Sequence, residues 1–277
     1  MAAERLHGIG VNRGWTGLGS LGAASTFLYV GFIGLPVVAL LVRAAQQESF
    51  LASLTSDLAL SALRLSLVTS SITMAIILMV GTPFAYMLAR GNSLFLKLID
   101  SLVELPIVMP PVVAGVAMLM AFGRQGILGS TLAQLGINLP FTTVAVIFAQ
   151  MFVAAPFYIR SAKLGFQSVA RDYEDVSQTL GVSPWRTFWR LTLPMSGSSV
   201  LTGIALAWAR ALSEFGATIM FAGNLMGKTQ TMPLAILTAM ESSLDTALAL
   251  AVLLLAGSVT ILVGLGVLTR RQWREQV

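Results

Sequence analysis

The chain has 277 residues, 56% of them hydrophobic and 10% charged, against roughly 25% charged in soluble domains; with a mean hydropathy of +0.83 it has too little polar surface to clothe a water-soluble globule of this length. The absence of cysteine and the single histidine, His7, exclude disulfides, thiolate metal sites, cysteine nucleophiles and most histidine chemistry. The net charge of +5 and a pI near 10.1 are read as basic loops that set membrane topology, not as a nucleic-acid surface.

Six apolar segments are long enough to cross about 30 Å of hydrocarbon as helices: 20–42, 65–89, 102–122, 141–159, 200–221 and 246–268. The first follows Arg5 and Arg13. It is longer than the apolar region of a secretory signal, with no clear small-residue cleavage site after it, so it reads as an uncleaved span. Polar breaks separate the segments: 43–57 with Gln46, Gln47, Glu48 and Asp57; Gly91-Asn92-Ser93 before Lys97; 123–140 with Arg124 and Asn138; and 223–245 with Lys228, Glu241 and Asp245. The longest connection, 160–194, is dense in charge. The expected architecture is an all-α membrane protein of six transmembrane helices, with a tail over 1–19, a six-span domain over 20–268 and a second tail over 269–277.

Lysine and arginine positions orient these spans, because cytoplasmic loops are enriched in them. With both termini inside, the cytoplasmic face holds Arg5, Arg13, Arg90, Lys97, Arg160, Lys163, Arg171, Arg186, Arg190, Arg270, Arg271 and Arg274. The outer face holds Arg43, Arg64, Arg124 and Lys228, and Arg210 falls inside a segment. Twelve against four favours N-in, C-in. Prolines at 36, 83, 106, 110, 111 and 156 lie within segments. They are ordinary kinks or breaks that line a cavity. The run Leu105-Pro106-Ile107-Val108-Met109-Pro110-Pro111 must disturb helical hydrogen bonding near the start of the third segment.

Within 160–194 the pattern predicts two short helices around a tight turn. Asp172, Glu174 and Asp175 suit the first helix's N-terminus and Gly181 its C-terminal cap. Ser183 is placed to cap the second helix, with Pro184 at its first position. Trp185, Phe188 and Leu191 recur three apart as an apolar stripe, and Pro194 is expected to end the helix. Such a helix either packs beneath its own bundle or docks on a partner.

The run Asp175-Val176-Ser177, three residues, Gly181, nine residues, then Leu191-Thr192-Leu193-Pro194 resembles the EAA signature of ABC importer permeases. In that family the loop forms a coupling helix seated in a groove of a cytoplasmic ATPase. Asp175 stands where glutamate is usual, and Val176 and Ser177 replace two alanines. The resemblance extends over about 60–268. Leu105-Pro106, Pro110-Pro111-Val112-Val113-Ala114-Gly115, Phe122-Gly123-Arg124-Gln125-Gly126, the stretch from Ala209 to Thr218 and the stretch from Gly227 to Pro233 are similar to the molybdate/tungstate permease family. Sulfate and thiosulfate permeases share much of the pattern, but Pro110-Pro111 and Glu214-Phe215-Gly216-Ala217-Thr218 look closer to the molybdate branch.

The resemblance implies a type I ABC importer transmembrane domain in the cell inner membrane. It implies a homodimer, two cytoplasmic ATPase subunits and a periplasmic or lipid-anchored oxyanion-binding protein. This chain would bind no cofactor itself, ATP and Mg being used by the ATPase. The coupling residues carried over are Glu174, Asp175, Gly181, Trp185, Leu193 and Pro194. Those of the pathway or gate are Pro110, Pro111, Arg210, Ser213, Glu214, Gly216 and Thr218.

Arg210 and Glu214 lie four apart, so on one helix they share a face and pair. Counting from Pro194 at about 1.5 Å per residue places both in the outer half of the membrane. Ionisable groups at that depth mark a pathway or fix helix rotation as an internal pair, and both readings stand on sequence. Ser213 and Ala217 on that face, with Gly216 and Thr218 beside it, are small enough for close helix packing. Asp100 and Glu104 read either as a proton relay of a secondary transporter or, as expected here, as acids at the cytoplasmic interface, where Lys97 compensates them.

Two other classes fit less well. An ion-coupled secondary transporter predicts midplane carboxylates and two related halves with broken helices, yet only Glu214 is well inside a segment. An intramembrane enzyme requires a nucleophile and base or paired aspartates at depth, and no segment supplies them. There is no GxxxxGK[ST] phosphate loop, so the chain is not expected to hydrolyse ATP.

Overall fold

The structure is a computed structural model that describes residues 15–275. Arg5, His7 and Arg13 lie outside the described residues, as do the side chains of Arg270, Arg271 and Arg274. The described residues are helical throughout, joined by loops and without strands.

The chain divides into two compact units, Met1–Glu48 and Ser49–Val277. The first holds α1 (Trp15–Ala45), whose stretch Leu21–Ala45 is long and apolar enough to cross a bilayer. Its Phe27, Phe32 and Leu35 side chains are exposed, as lipid-facing positions are.

The second unit opens with α2 (Phe50–Leu54) and α3 (Asp57–Arg90). Ser56 caps α3 by accepting from the Ala59 N–H at 3.3 Å, satisfying one of the free donors at a helix start. α4 (Leu94–Val108) and α5 (Pro111–Phe122) follow, and their axes differ by 119°. The third segment, 102–122, is therefore not one straight span. A residue before proline is pushed out of the helical region. Met109 and Pro110 each precede a proline and are extended, at ψ 132° and 133°.

After α6 (Gly129–Gln134) comes α7 (Thr143–Ser168), capped by Thr142 accepting from the Ala145 N–H. Next are α8 (Arg171–Thr179) and α9 (Pro184–Met195), bent by 75° from α10 (Gly197–Leu212). The fifth segment, 200–221, is also interrupted. α10 stops at Leu212, residues 213–215 are non-helical, and α11 (Gly216–Ala222) restarts the helix. The polar break at 223–245 contains another helix, α12 (Met232–Ser242), with Pro233 in its first turn. The last helix is α13 (Leu244–Glu275). Among the described residues four helices are thus long and apolar enough to span, or up to six counting each bent pair as one.

Paired contacts give the helix directions. Thr73 donates to Gln150, Thr82 and Tyr158 share a hydrogen bond, and Arg90 donates to Val169 O. α3 and α7 therefore run parallel. α10 runs back between them, because Ser161 donates to Ser199 O near its start and Trp208 donates to Ser70 near its end. Small residues permit the close approach. A Cβ on Gly165 would lie 2.5 Å from Ser199 Cβ, and one on Gly203 would lie 2.9 Å from Ser161 Cβ. The core of this bundle is apolar around Tyr158, Phe166 and Ala207. A buried polar seam of Ser66, Thr69, Ser70, Thr73 and Gln150 runs beside it, each hydroxyl bonded to backbone or side chain.

Asp100 pairs with Lys163 at 2.6 Å and Glu104 with Arg160 at 3.8 Å. Compensation comes from α7 and not from Lys97, which is exposed, because α4 crosses α7 with these side chains facing it.

Candidate functional site

Two constellations carry the residues singled out by sequence. The first is the α8–α9 loop, at the end of the bundle where α3 and α7 finish. α8 ends as its sequence requires. Gly181 has φ +79°, the left-handed conformation that glycine adopts without a side-chain penalty. Pro184 begins α9 with Ser183 extended before it. The Ser183 side chain makes no capping bond, so its position was right and its bond was not.

α9 is not the uniform amphipathic helix expected. Its middle, Phe188–Thr192, is a π-turn, in which the Leu193 N–H reaches back to Phe188 O. Pro194 supplies no N–H, and its ring crowds the carbonyl one turn back. Widening the preceding turn relieves that conflict and lets the helix pass Pro194 to Met195. The stripe is split as a result. Phe188 is buried, while Trp185 and Trp189 are 70% and 49% exposed and meet edge-to-face with centroids 5.5 Å apart. They form one wall of an apolar cleft of about 860 Å³ that also touches Tyr86 and Tyr158.

Behind the loop lies a contact that the sequence did not reveal. Glu174 turns inward and is buried. Its Oε1 accepts from Arg90 Nη2 and from Thr192 Oγ1, both at 2.6 Å, and its Oε2 from Tyr86 OH at 3.2 Å. Arg90 also donates to Val169 O, and Arg171 donates to Arg90 O. One carboxylate therefore joins α3, α8 and α9. Burial pushes the Glu174 carboxyl up, but the Thr192 and Arg90 hydrogen bonds, the Arg90 charge and the Tyr86 hydrogen bond outweigh it and hold the group below its ordinary value. Asp175, the next residue, is exposed. Leu193 is half-buried and Pro194 exposed. Neighbouring acids thus divide into an anchor facing inward and a charge facing out.

The second constellation sits where the α10–α11 interruption meets the α4–α5 bend. Arg210 and Glu214 do pair, at 2.8 Å, but not along one helix face. Glu214 lies beyond the end of α10, and its Oε1 accepts from the Ala217 N–H at 2.7 Å. The carboxylate caps α11, which is why the helix breaks there. Ser213 is exposed and donates to Arg210 O. Thr218 is buried with its hydroxyl unpaired.

Pro110-Pro111 is brought against the same break. A Cβ on Gly216 would lie 2.7 Å from Pro111 Cβ and 3.1 Å from Val112 N. Gly115, one turn along α5, is equally tight: its Cβ would meet Met220 Cβ at 2.6 Å and Ala217 O at 2.9 Å. The two short helices therefore touch backbone to backbone. In the sequence Gly115 is legible only as the end of the Pro110-Pro111-Val112-Val113-Ala114-Gly115 run. Among the described residues no cluster of His, Asp or Glu is placed to hold a metal ion.

Comparison with known proteins places this architecture. Residues 81–274 match the family described as binding-protein-dependent transport system inner membrane component. The chain is 39% identical over 238 residues to the molybdenum transport system permease protein ModB of Mycobacterium tuberculosis, covering 86% of this chain and 90% of that protein. It is 36% identical over 258 residues to the sulfate transport system permease protein CysW of Synechococcus elongatus, covering 90% and 89%. In fold it is similar to a chain of a bacterial alginate ABC transporter solved with an alginate pentasaccharide-bound periplasmic protein. The TM-score there is 0.72 at 15% identity, over 92% of this chain and 94% of that one. With α3, α7 and α13 able to span a bilayer and the family match covering well over half of its length, the chain belongs to the binding-protein-dependent transport system inner membrane components.

Proposed function

We propose that this chain is the permease subunit of an ATP-driven importer whose cargo is molybdate or the closely similar tungstate. The observation that carries the cargo is its 39% identity to ModB over 86% of its length. The 36% identity to CysW supports sulfate as a second reading. In this proposal two copies pair in the inner membrane, a binding protein delivers the oxyanion from outside, and separate ATPase subunits supply energy.

The bundle end that carries Arg90, Lys163, Arg171, Arg186 and Arg190 faces the cytoplasm, by the bias of cytoplasmic loops toward basic residues. Both termini then lie inside. The α8–α9 loop docks on the ATPase through Asp175, Gly181 and Trp185, with Glu174, Leu193 and Pro194 setting its attitude. Nucleotide state shifts the bundle between inward- and outward-open forms only by its differential affinity for the two. A loop held to α3 by a buried ion pair suits that task, because displacement of the loop moves the helix. Pro110, Pro111, Arg210, Ser213, Glu214, Gly216 and Thr218 surround the gate.

The test joins a pull-down of the tagged chain from native membranes in mild detergent to radiolabelled-molybdate uptake in a strain lacking this chain. Recovery of an ABC ATPase together with loss of molybdate uptake is expected. An ATPase with molybdate uptake intact and sulfate uptake lost moves the cargo to sulfate. Recovery of no ATPase overturns the reading. Asp175→Ala, with the chain still folded in the membrane, should abolish uptake.

A further inference from the structure

Arg210 stands in the last turn of α10, two residues after Trp208, which donates to Ser70 of α3 at 3.1 Å. A guanidinium offers five N–H donors. Among the described residues the Arg210 side chain has one partner, Glu214 Oε2 at 2.8 Å, and that oxygen receives no aligned hydrogen bond. The arginine side chain is 26% exposed and the glutamate side chain 0%. Most of the donors on this cation therefore have no partner among the described residues, on a side chain that is partly exposed.

The pair also bridges two bodies. Arg210 belongs to α10, which packs between α3 and α7. Glu214 is fixed to α11 by the Ala217 N–H, and α11 is seated on α5 through Gly216 and Gly115. Between them the backbone is non-helical, so the two can separate without breaking a helix. A pair built only for stability would carry further hydrogen bonds, as Arg90–Glu174 does from Thr192 and Tyr86 and to Val169 O.

We infer that Glu214 is a resident counter-anion, which a passing oxyanion displaces from Arg210. This rests on the pathway reading of Arg210 above. With the gate closed, the carboxylate neutralises the guanidinium. As α10 and α11 part, the carboxylate stays on the Ala217 N–H and Arg210 passes to the cargo. A dianion is attracted about twice as strongly as a carboxylate at equal distance, which favours tetrahedral dianions over monoanions. When the dianion leaves, Glu214 returns, so the cargo is not retained on an unpaired cation.

The experiment measures retention of radiolabelled molybdate by the purified permease–ATPase complex without binding protein. Removing the competitor in Glu214→Gln should raise retention by about tenfold over the unaltered complex, the scale of one charge-assisted contact. The double variant Arg210→Gln, Glu214→Gln should lose that gain. Equal retention by the single and double variants overturns the inference. Should Glu214→Gln fail to assemble, carbodiimide labelling of the unaltered complex decides. Glu214 should be protected at rest and labelled when the complex is trapped with vanadate and molybdate-loaded binding protein. Unchanged labelling overturns the inference. Molybdate uptake by the unaltered system, measured in parallel, tests the permease reading separately.

Discussion

Arg90 and Glu174 are 84 positions apart in the chain and 2.6 Å apart in the fold, and through them the last turn of a spanning helix grips the first turn of the loop helix. The contact is largely dry, with 15% and 9% of the two side chains exposed. Removing one partner leaves the other charged and poorly solvated. Glu174→Ala should therefore destabilise the chain by about 3 kcal/mol, the lower part of the range for a broken buried pair because Arg90 keeps some water. Arg90→Lys retains the charge but not the fork that reaches both Val169 O and Glu174, so it should lose less but still measurably. Thermal unfolding of the purified chain in detergent orders the variants, and equal midpoints for Glu174→Ala and the unaltered protein would remove the anchor role.

The same carboxyl sets a pH dependence. Its folded pKa lies below the ordinary value of 4.5, so the unfolded chain binds its proton first as pH falls. The stability it contributes is complete above that ordinary value and disappears as pH drops through the folded pKa. Hydrogen exchange in α8 and α9 should accelerate as pH is lowered below that ordinary value and through the folded pKa, after correction for intrinsic rates. In Glu174→Gln this acid-dependent step should be missing. Persistence of the step in that variant would assign it to another group.

Legibility in the sequence followed the range of the interactions. Local rules located the Gly181 turn and the Pro184 start, and they located the break at Pro110-Pro111, because each depends on a residue's own backbone. Hydropathy located the four long spanning helices, because side-chain transfer to lipid is summed over one continuous stretch of sequence. The interruption at 213–215 is not legible in hydropathy, because Leu212 and Phe215 keep the segment apolar and Gly216 reads equally well as a small packing residue. What ends α10 is the Glu214 carboxylate turning to cap Ala217. α12 was missed because Lys228 before it, Glu241 in its last turn and Asp245 after it outweighed eleven helical residues in a hydropathy reading. Asp175 was singled out by motif spacing, yet Glu174 makes the buried contacts. That choice depends on Arg90, Tyr86 and Thr192 arriving from elsewhere, which spacing does not encode.

Close packing of α5 on α11 rests on two missing side chains. Gly216→Ala and Gly115→Ala would each put a Cβ within 2.7 Å of another carbon, and backbone on one side of each contact cannot swing away. Each should cost about 1–3 kcal/mol as the helices are forced apart. Gly257→Ala, in α13 with nothing within 4 Å, should be neutral or slightly stabilising. Unfolding midpoints of the three variants check this. A Gly216→Ala midpoint matching Gly257→Ala would mean that α11 is free to shift.

Gly181 separates what the fold needs from what a partner needs. Its φ of +79° strains any residue with a side chain, but a Cβ there would meet nothing within 4 Å. Gly181→Ala and Gly181→Trp should thus cost the fold similar amounts, about 1–2 kcal/mol each, because the strain is in the backbone and the space is open. Their effects on uptake should diverge. Alanine adds one methyl group to the exposed loop and should leave much of the transport, whereas tryptophan projects a large ring where the ATPase is proposed to sit and should abolish it. Assembly with the ATPase, followed by pull-down, should fail in the same variant. Equal transport by two equally folded variants would mean that the surface around residue 181 stays uncovered, and docking would have to move to the Trp185–Trp189 side of the loop.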